Sequence, residues 1–325
     1  MGRLLTGLLT LIGLIALVAV GGYFALRRPD LPYATLAARY ENSASRYIDL
    51  PGGVHLHYRD EGAGAPAPIL LLIHGYAASL QTWEPWVARL GENYRIVSID
   101  LPGHGLTSAP AGYQPSIESY GDLVEEFART AGLERFALVG NSMGGNIAWE
   151  YALAHPERLD ALILVDASGW PETETEQGAQ PIIFNLLRHP AAAALLRDLD
   201  TTQLTRQGLE TAFADPALVT DEMVAEYRDQ SRAPGHRDIL MQLMLDGGAR
   251  NFATPERLAP ITLPTLILQG ARDNLVPPRH AQLFHDAIRG SEVLMLENVG
   301  HAPQEEAADE TATALGEFLY RIHEG

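Results

Sequence analysis

A single serine stands between glycines in the stretch GNSMGG, at position 142. The residues before it, 136–140, are apolar and typical of a strand, and residues 143–155 have the spacing of a helix. A strand that turns abruptly into a helix strains the residue at the turn and exposes its side chain at the edge of the sheet. In this context the pattern Gly140-x-Ser142-x-Gly144 predicts a nucleophilic serine rather than a helix cap.

A serine hydroxyl needs a base to take its proton and an acid to orient that base. His301 follows the last strand-like segment, in ENVGHAPQEE, and Asp273 follows the one before it, in GARDNLVPP. The carboxyl ends of parallel strands meet at one edge of a sheet, so both side chains are expected near Ser142. The order serine, aspartate, histidine predicts a catalytic triad, with Asp166, directly after the sixth strand-like segment, as an alternative acid.

Two backbone N–H groups are expected to hold the oxyanion that forms when the serine attacks a carbonyl. One belongs to Met143, at the start of the helix after the serine. The other belongs to Tyr76, in the loop HGYAA at 74–78. His74 is interpreted as a residue that orients this loop, and His104, in DLPGHGLTS, as one that stabilises a turn.

The composition excludes several other chemistries. The 325 residues include 23 basic ones, all of them arginine, and 41 acidic ones, and the net charge is −18. Without lysine there is no Schiff base, Ser-Lys dyad or P-loop, and without cysteine there is no thiolate or disulfide. The negative charge argues against nucleic acid as a partner. The triad chemistry requires no cofactor and no metal.

Alternating strand-like and helical segments predict an α/β fold that positions these residues. From the third segment onward most strands are continuous apolar runs, as in a parallel sheet covered by helices on both faces. The fold class is therefore a mostly parallel eight-stranded sheet between helices, and Trp83 and Trp86 are interpreted as core or cap-packing residues. The strand-like segments are 46–50, 54–60, 68–75, 94–100, 136–140, 161–166, 264–270 and 291–297, and the helical ones 79–90, 116–131, 143–155 and 278–288.

Residues 171–258 interrupt this alternation, because they contain helical stretches and no convincing strand. They predict a helical cap inserted after the sixth strand, which divides the core into 46–170 and 259–325. Some apolar side chains of the cap either line an acyl pocket or form the core of the cap itself. They are Ile182, Ile183, Phe184, Leu186, Leu187, Met241 and Met244.

The N-terminus carries 23 residues without a charge, at 4–26. A helix of this length crosses a hydrocarbon core about 30 Å thick. Residues 1–28 are therefore predicted to be a single-pass membrane anchor in contact with lipid, followed by a linker at 29–45. A cleaved signal sequence and a buried helix are the alternatives. Arginines on both sides do not fix the topology, and an extracytoplasmic catalytic domain is favoured.

Five segments resemble landmarks of the α/β-hydrolase fold family, in the family's order: LLIHGYAAS, VSIDLPGHGLTS, LVGNSMGG, PTLILQGARDNLVP and NVGHAPQEE. The resemblance extends over residues 46–322. It implies a helical cap over the site and the following roles: a nucleophile at Ser142, an acid at Asp273, a base at His301, and an oxyanion hole from the amides of Tyr76 and Met143.

The stretch GNSMGG looks like that of capped bacterial carboxylesterases and lipases, and also like that of hydrolases of meta-cleavage products, which break carbon–carbon bonds. The latter typically have a longer, glycine-rich oxyanion loop and a tryptophan after the catalytic histidine, where this chain has Ala302. Both departures favour a small-molecule ester as substrate. Carbon–carbon hydrolysis, thioester or amide cleavage and perhydrolysis are alternatives on the same triad. A membrane-tethered binding protein that keeps the fold without catalysis is a further alternative.

Overall fold

A mostly parallel sheet of eight strands forms the centre of the computed structural model, which describes residues 2–171, 173, 189–245 and 252–324. Most of its strands are continuous apolar runs because helices cover both faces of the sheet. In chain order the strands are β1 (Ser45–Leu50), β2 (Val54–Gly62), β3 (Ile69–Ile73), β4 (Arg95–Ile99), β5 (Phe136–Asn141), β6 (Leu159–Val165), β7 (Thr265–Gly270) and β8 (Glu292–Leu296).

The strand order across the sheet is β1-β2-β4-β3-β5-β6-β7-β8. The pairs β1/β2 and β2/β4 are antiparallel, and every other neighbouring pair is parallel. The loops that follow β3, β5, β6, β7 and β8 therefore leave the same edge of the sheet. The predicted fold class is confirmed.

Helices pack on both faces of the sheet, and others lie between β6 and β7. Short 3₁₀ turns occur at Leu80–Trp83, Pro156–Arg158 and Pro216–Leu218. The helices are α1 (Gly2–Leu26), α2 (Tyr33–Tyr40), α3 (Glu84–Leu90), α4 (Ile117–Thr130), α5 (Met143–Ala154), α6 (Pro190–Leu196), α7 (Thr202–Ala212), α8 (Asp221–Gln230), α9 (His236–Leu245), α10 (Pro255–Leu258), α11 (Arg279–Ala287), α12 (Pro303–Glu306) and α13 (Ala308–Glu324).

The apolar core has one cluster on each face of the sheet. Trp83 and Trp86 are fully buried in the cluster that β3 and β4 share with α13. The indole N–H of Trp86 donates to Thr311 Oγ1 of α13 at 2.9 Å, which satisfies its only polar group. Both tryptophans are core residues, which is the first of the two predicted roles.

Helices α6 to α10 lie within the segment predicted to form a cap, 171–258. The end of α1 is held against this segment by ion pairs from Arg27 to Asp198 and from Arg28 to Asp200, each at 3.0 Å. Of the apolar residues predicted to line a pocket, those at 182–187 lie outside the described residues. Removing the N-terminal helix together with its two arginines would therefore also remove contacts of the cap.

Helix α1 is long and apolar enough to cross a membrane over Leu9–Leu26, and none of the described side chains in this window is buried. Leu17 and Phe24 are about two-thirds exposed, at 70% and 66%. A bilayer would remove such side chains from water. The helix fits a membrane anchor, and a signal sequence has the same length and composition.

Candidate active site

Ser142 occupies the turn between β5 and α5. Its backbone has φ 55° and ψ −115°, a region that few residues with a side chain adopt. The turn is fixed because the N–H of Ser142 donates to the carbonyl of Val165 at 2.9 Å, while the carbonyl of Ser142 accepts from Asn146 N at 3.1 Å. Such strain costs about 1–3 kcal/mol and persists where the surrounding structure enforces it. Ser142 lines the large cavity described below.

Two glycines make this turn sterically possible. A Cβ at Gly140 would lie 2.1 Å from the carbonyl oxygen of Gly144, and a Cβ at Gly144 would lie 2.2 Å from that of Ile73. Both contacts are with backbone, which has no flexible end to move aside. The glycines therefore allow α5 to start directly against β3 and β5, which places the serine at the sheet edge.

His301 and Asp273 are joined by a hydrogen bond of 2.7 Å between Nδ1 of the imidazole and Oδ2 of the carboxylate. The other oxygen of Asp273 accepts from the backbone N–H groups of Leu275 and Val276, at 2.7 and 2.9 Å. Burial alone would raise the pKa of Asp273, but the hydrogen bonds from His301 and these two amides outweigh it and lower the pKa. Asp273 is thus ionised and holds the imidazole by Nδ1.

Asp166, the alternative acid, is buried beside this pair. Its Oδ1 accepts from the backbone N–H of Gly270 at 2.9 Å and from the side-chain amide of Gln269 at 2.5 Å. Its Oδ2 has no hydrogen-bond partner among the described residues. Burial raises the pKa of Asp166 well above its usual value, and the neighbouring charge of Asp273 raises it further. The carboxyl that bonds to His301 is therefore that of Asp273.

The groups of Asp166, Asp273 and His301 lie within 4.8 Å of one another, a spacing that would also suit a metal ion. However, Nδ1 of His301 and Oδ2 of Asp273 are bonded to each other, so these two atoms are already paired. This arrangement suits a charge-assisted hydrogen bond better than a shared cation.

The loop 74–78 runs beside the serine. A Cβ at Gly75 would lie 3.1 Å from Cβ of Ser142, so the loop backbone passes within contact distance of the nucleophile candidate. The next residue, Tyr76, is 42% exposed, and its hydroxyl donates to the carbonyl of Leu240 in α9 at 3.1 Å. Met143, on the other side, is the first residue of α5, where backbone N–H groups have no partner within the helix.

The two histidines near this loop make structural hydrogen bonds. His74 donates from Nδ1 to the carbonyl of Gly75 at 2.7 Å and accepts at Nε2 from the N–H of Leu101 at 3.1 Å. Its burial lowers its pKa, so the imidazole is neutral. His104 donates from Nδ1 to the carbonyl of Pro102 at 3.1 Å. His74 therefore orients the loop and His104 stabilises a turn, as predicted.

A cavity of about 1670 Å³ opens over Ser142 and His301. Tyr76 and Met143 also line it, so four of the five predicted site residues share one space, while Asp273 lies behind the imidazole. In the described part of the chain, Ser142 Oγ makes no hydrogen bond to His301, a contact that is often long in enzymes without substrate. Most of the remaining wall is apolar: Trp170, Leu199, Leu209, Leu240, Met241 and Met244.

Sequence reasoning missed several residues that position His301. Asn141 donates from its side-chain amide to the carbonyls of Val165 and His301, at 3.2 and 3.1 Å. The N–H of His301 donates to the carbonyl of Ala212, at the end of α7, at 2.7 Å. The only sequence signal for Asn141 is its place inside the G-x-S-x-G pattern, and Ala212 gives none because its backbone makes the bond.

Comparison with known proteins agrees with this fold. Residues 68–308 match the model of the α/β hydrolase fold family. The dihydrolipoyllysine-residue acetyltransferase component of an acetoin cleaving system from Pseudomonas putida is 30% identical, over 82% of this chain and 67% of that protein. The 2-hydroxymuconate semialdehyde hydrolase of Pseudomonas sp. strain CF600 is 28% identical, over 83% and 92% of the two chains.

Among solved structures, a membrane phospholipase A described as a bacterial virulence factor is 26% identical. The alignment covers 100% of both chains with a TM-score of 0.72, and so includes the N-terminal helix. These relatives differ in activity, whereas they share the fold. The family model matches more than half of the residues of this chain. The chain is therefore a hydrolase of the α/β-hydrolase fold family.

Proposed function

We propose that this protein is a serine hydrolase that cleaves carboxylic esters, with Ser142 as nucleophile, His301 as base and Asp273 as the orienting acid. The observation that carries the proposal is the 2.7 Å hydrogen bond between Asp273 and His301 beside the cavity that exposes Ser142. A carboxylate held on Nδ1 keeps the proton there, which leaves Nε2 to accept the proton of the serine. The phospholipase neighbour also supports ester chemistry.

The proposed reaction has two steps. His301 takes the hydroxyl proton as Ser142 Oγ bonds to the ester carbonyl carbon, and the amides of Tyr76 and Met143 stabilise the resulting oxyanion. The C–O bond then breaks, and the imidazolium gives its proton to the departing alcohol. In the second step His301 takes a proton from water, whose oxygen attacks the acyl carbon. The bond from that carbon to Ser142 Oγ then breaks, the imidazolium returns its proton to Oγ, and the acid is released. Loss of one oxyanion donor typically costs about 10²–10³ in kcat.

The apolar wall of the cavity supports a medium or long acyl chain as the substrate group. Each buried methylene contributes about 0.8 kcal/mol, and Met241, Met244 and the neighbouring leucines offer surface for several. An apolar helix at the N-terminus would hold the site close to a source of such esters. We therefore place the enzyme with the capped carboxylesterases and lipases, with membrane lipid in contact with α1.

Hydrolysis of p-nitrophenyl esters from two to sixteen carbons tests the substrate class. The full-length protein in detergent is the right sample, because a chain that starts after Arg28 lacks the ion pairs to Asp198 and Asp200. We expect kcat/KM for the octanoyl ester to exceed that for the acetyl ester by at least about tenfold. A preference for the acetyl ester would contradict a long-chain pocket. No activity on any ester would overturn the proposal.

Hydrolysis of a carbon–carbon bond is the second candidate, because the alignment with the semialdehyde hydrolase covers 92% of the length of that enzyme. Against it, the residue after His301 is Ala302, and the loop 74–78 contains a single glycine. An ultraviolet assay with a dienoate substrate distinguishes the two. Turnover of the dienoate without ester hydrolysis would select this reaction.

We also propose that α1 remains attached and exports the catalytic domain. The support is the exposed apolar surface of the helix and its ion-paired junction with the cap. Alkaline phosphatase fused after α13 is expected to be active, because that enzyme folds only outside the cytoplasm. A fluorescent protein that requires the cytoplasm should stay dark at the same position. The reverse pattern would place the domain inside, and a mature chain lacking α1 would identify a cleaved signal.

A further inference from the structure

Glu306, the last residue of α12, has a carboxylate that the proposed reaction does not use. Its side chain turns back toward the loop that carries His301. Oε1 accepts from the backbone N–H groups of Gly300 and Ala302, at 3.1 and 3.2 Å, and Oε2 also accepts from that of Gly300, at 3.0 Å. The N–H of Glu306 in turn donates to the carbonyl of Ala302 at 2.8 Å. The carboxylate thus holds the residues on both sides of His301.

The same carboxylate also binds the cap. Its Oε2 accepts from the backbone N–H of Ala214 at 2.8 Å. Two residues earlier, at the end of α7, the carbonyl of Ala212 accepts from the N–H of His301 at 2.7 Å. Three successive N–H groups, at positions 300, 301 and 302, are therefore bonded either to Glu306 or to the cap. Hydrogen bonds to an ionised acceptor are roughly twice as strong as neutral ones.

The cap and the histidine loop also pack directly against each other. A Cβ at Gly300 would lie 2.2 Å from the carbonyl oxygen of Ala212 and 2.6 Å from the nitrogen of Ala214, so the two backbones leave no room for a side chain. On the other side of His301, Ala302 belongs to a small apolar cluster whose other buried members lie in the cap. They are Leu209, Ala212, Phe213, Val219 and Val224.

The loop of the acid contacts the same part of the cap. Asn274, the residue after Asp273, donates from its side-chain amide to the carbonyl of Thr211 at 3.2 Å. Segment 211–214 of the cap therefore supports the loops of both the base and the acid. These bonds hold the two loops in one arrangement only while this segment stays in place.

The reaction is sensitive to the position of this loop. The imidazole of His301 has to present Nε2 to Ser142 while its Nδ1 stays bonded to Asp273. A displacement of about 1 Å at such a group can cost about 100-fold in rate. Asn141 holds the carbonyl of His301 at 3.1 Å. The N–H side of the loop is held by Glu306 and the cap.

We propose that Glu306 is a positioning residue for His301, and that through it the cap segment 211–214 holds the base in the place that catalysis requires. This inference rests on the proposed ester hydrolysis, with His301 as the base. Glu306 is not among the described residues that line the cavity. Its effect is therefore expected in kcat, which depends on the geometry of the reacting groups, and not in KM.

Glu306→Gln in the full-length protein in detergent is the main test, because glutamine has almost the same shape. Its amide oxygen still accepts, but its NH₂ group faces backbone N–H donors and leaves them unpaired. We expect kcat for p-nitrophenyl octanoate to fall by about 10- to 100-fold, with KM changed by less than about twofold. Glu306→Ala, which removes both acceptors, should lower kcat at least as much.

Titration of the active sites with a fluorophosphonate separates lost geometry from lost folded protein. Each kcat is expressed per labelled site, so that misfolded molecules do not count. Both variants should be labelled to the same final extent as the wild type but more slowly, because the hydroxyl of Ser142 must lose its proton to the same base. Glu310→Gln, on the exposed side of α13, should match the wild type in kcat and in labelling rate.

Ala214→Pro tests the link to the cap separately, because proline lacks the N–H that Glu306 accepts. Phe213, the residue before it, has φ −83° and ψ 137°, a conformation that residues before proline favour. We expect kcat per labelled site to fall by about threefold to tenfold, again with KM unchanged.

The results that would overturn the inference differ from one another. A wild-type kcat per labelled site in Glu306→Gln, with or without a smaller labelled fraction, would reduce Glu306 to a support of the fold. A higher KM with unchanged kcat would place its effect on substrate binding. A wild-type kcat in Ala214→Pro would remove the part assigned to the cap. If the wild type hydrolyses no ester, the proposed function fails, whereas the labelling rates still test Glu306.

Discussion

Replacing Ser142 with alanine is expected to lower kcat for ester hydrolysis by about 10⁵ to 10⁶. The turn that holds Ser142 is built from backbone hydrogen bonds and glycine contacts, none of which uses the hydroxyl. Alanine therefore removes the attacking atom and leaves the cavity and the sheet as they are. Steady-state hydrolysis of p-nitrophenyl octanoate checks the effect, and an unchanged melting temperature shows that the fold is retained.

A second serine provides the control for this substitution. Ser168 lies next to the turn, where its hydroxyl donates to the carbonyl of Ser142 at 3.2 Å. A fluorophosphonate probe should label the wild type and Ser168→Ala but not Ser142→Ala. Labelling that persists in Ser142→Ala, or disappears only in Ser168→Ala, would show that Ser142 is not the nucleophile.

The sheet and the serine turn are predictable from sequence because their signals are local. Continuous apolar runs identify strands such as β5 and β7 since both faces of these strands are covered. Gly140 and Gly144 mark a turn in which backbones approach within a distance that excludes any side chain. The loops after β7 and β8 then bring Asp273 and His301 to one edge, because parallel strands all end there.

Contacts between distant segments are not predictable in this way. The hydrogen bond from His301 N to the carbonyl of Ala212 joins the base to the cap through backbone atoms, which carry no residue signature. The hydrogen bond from Thr82 to Glu305 likewise joins residues that are 223 positions apart in the chain. The choice between two acids, each directly after a strand, also needed the three-dimensional structure.

Asp273→Asn is the second substitution with a large expected effect, a loss of about 10⁴ in kcat. The carboxylate of Asp273 accepts the Nδ1 proton of His301 at 2.7 Å. An asparagine amide in that place can turn its NH₂ group toward Nδ1, which favours the tautomer with the proton on Nε2. The imidazole is then unable to accept the proton of Ser142. Hydrolysis of p-nitrophenyl octanoate measures the loss.

Asp166→Asn is the matched control, since it makes the same chemical change in the neighbouring buried carboxyl. Because burial and the charge of Asp273 raise the pKa of Asp166, the fold favours the neutral form of this carboxyl, which asparagine resembles. Its oxygen can still accept from Gly270 and Gln269 as Oδ1 does. We expect kcat to fall by about tenfold at most. A loss as large as that of Asp273→Asn would contradict the assignment of Asp273 as the acid.

The two aspartates should also affect stability with opposite signs as the pH changes. Above about pH 4 the unfolded chain ionises Asp166, whereas the folded protein keeps it protonated, so the folded state loses stability as the pH rises. Asp166→Asn removes this penalty and should raise the melting temperature more at pH 8 than at pH 4. Asp273, whose pKa is lowered, stabilises the fold above its unfolded pKa and loses this contribution as the pH falls. Asp273→Asn should therefore lower the melting temperature at pH 8. A shift of the same sign in both variants would show that the pKa values of the two carboxyls are not displaced in opposite directions.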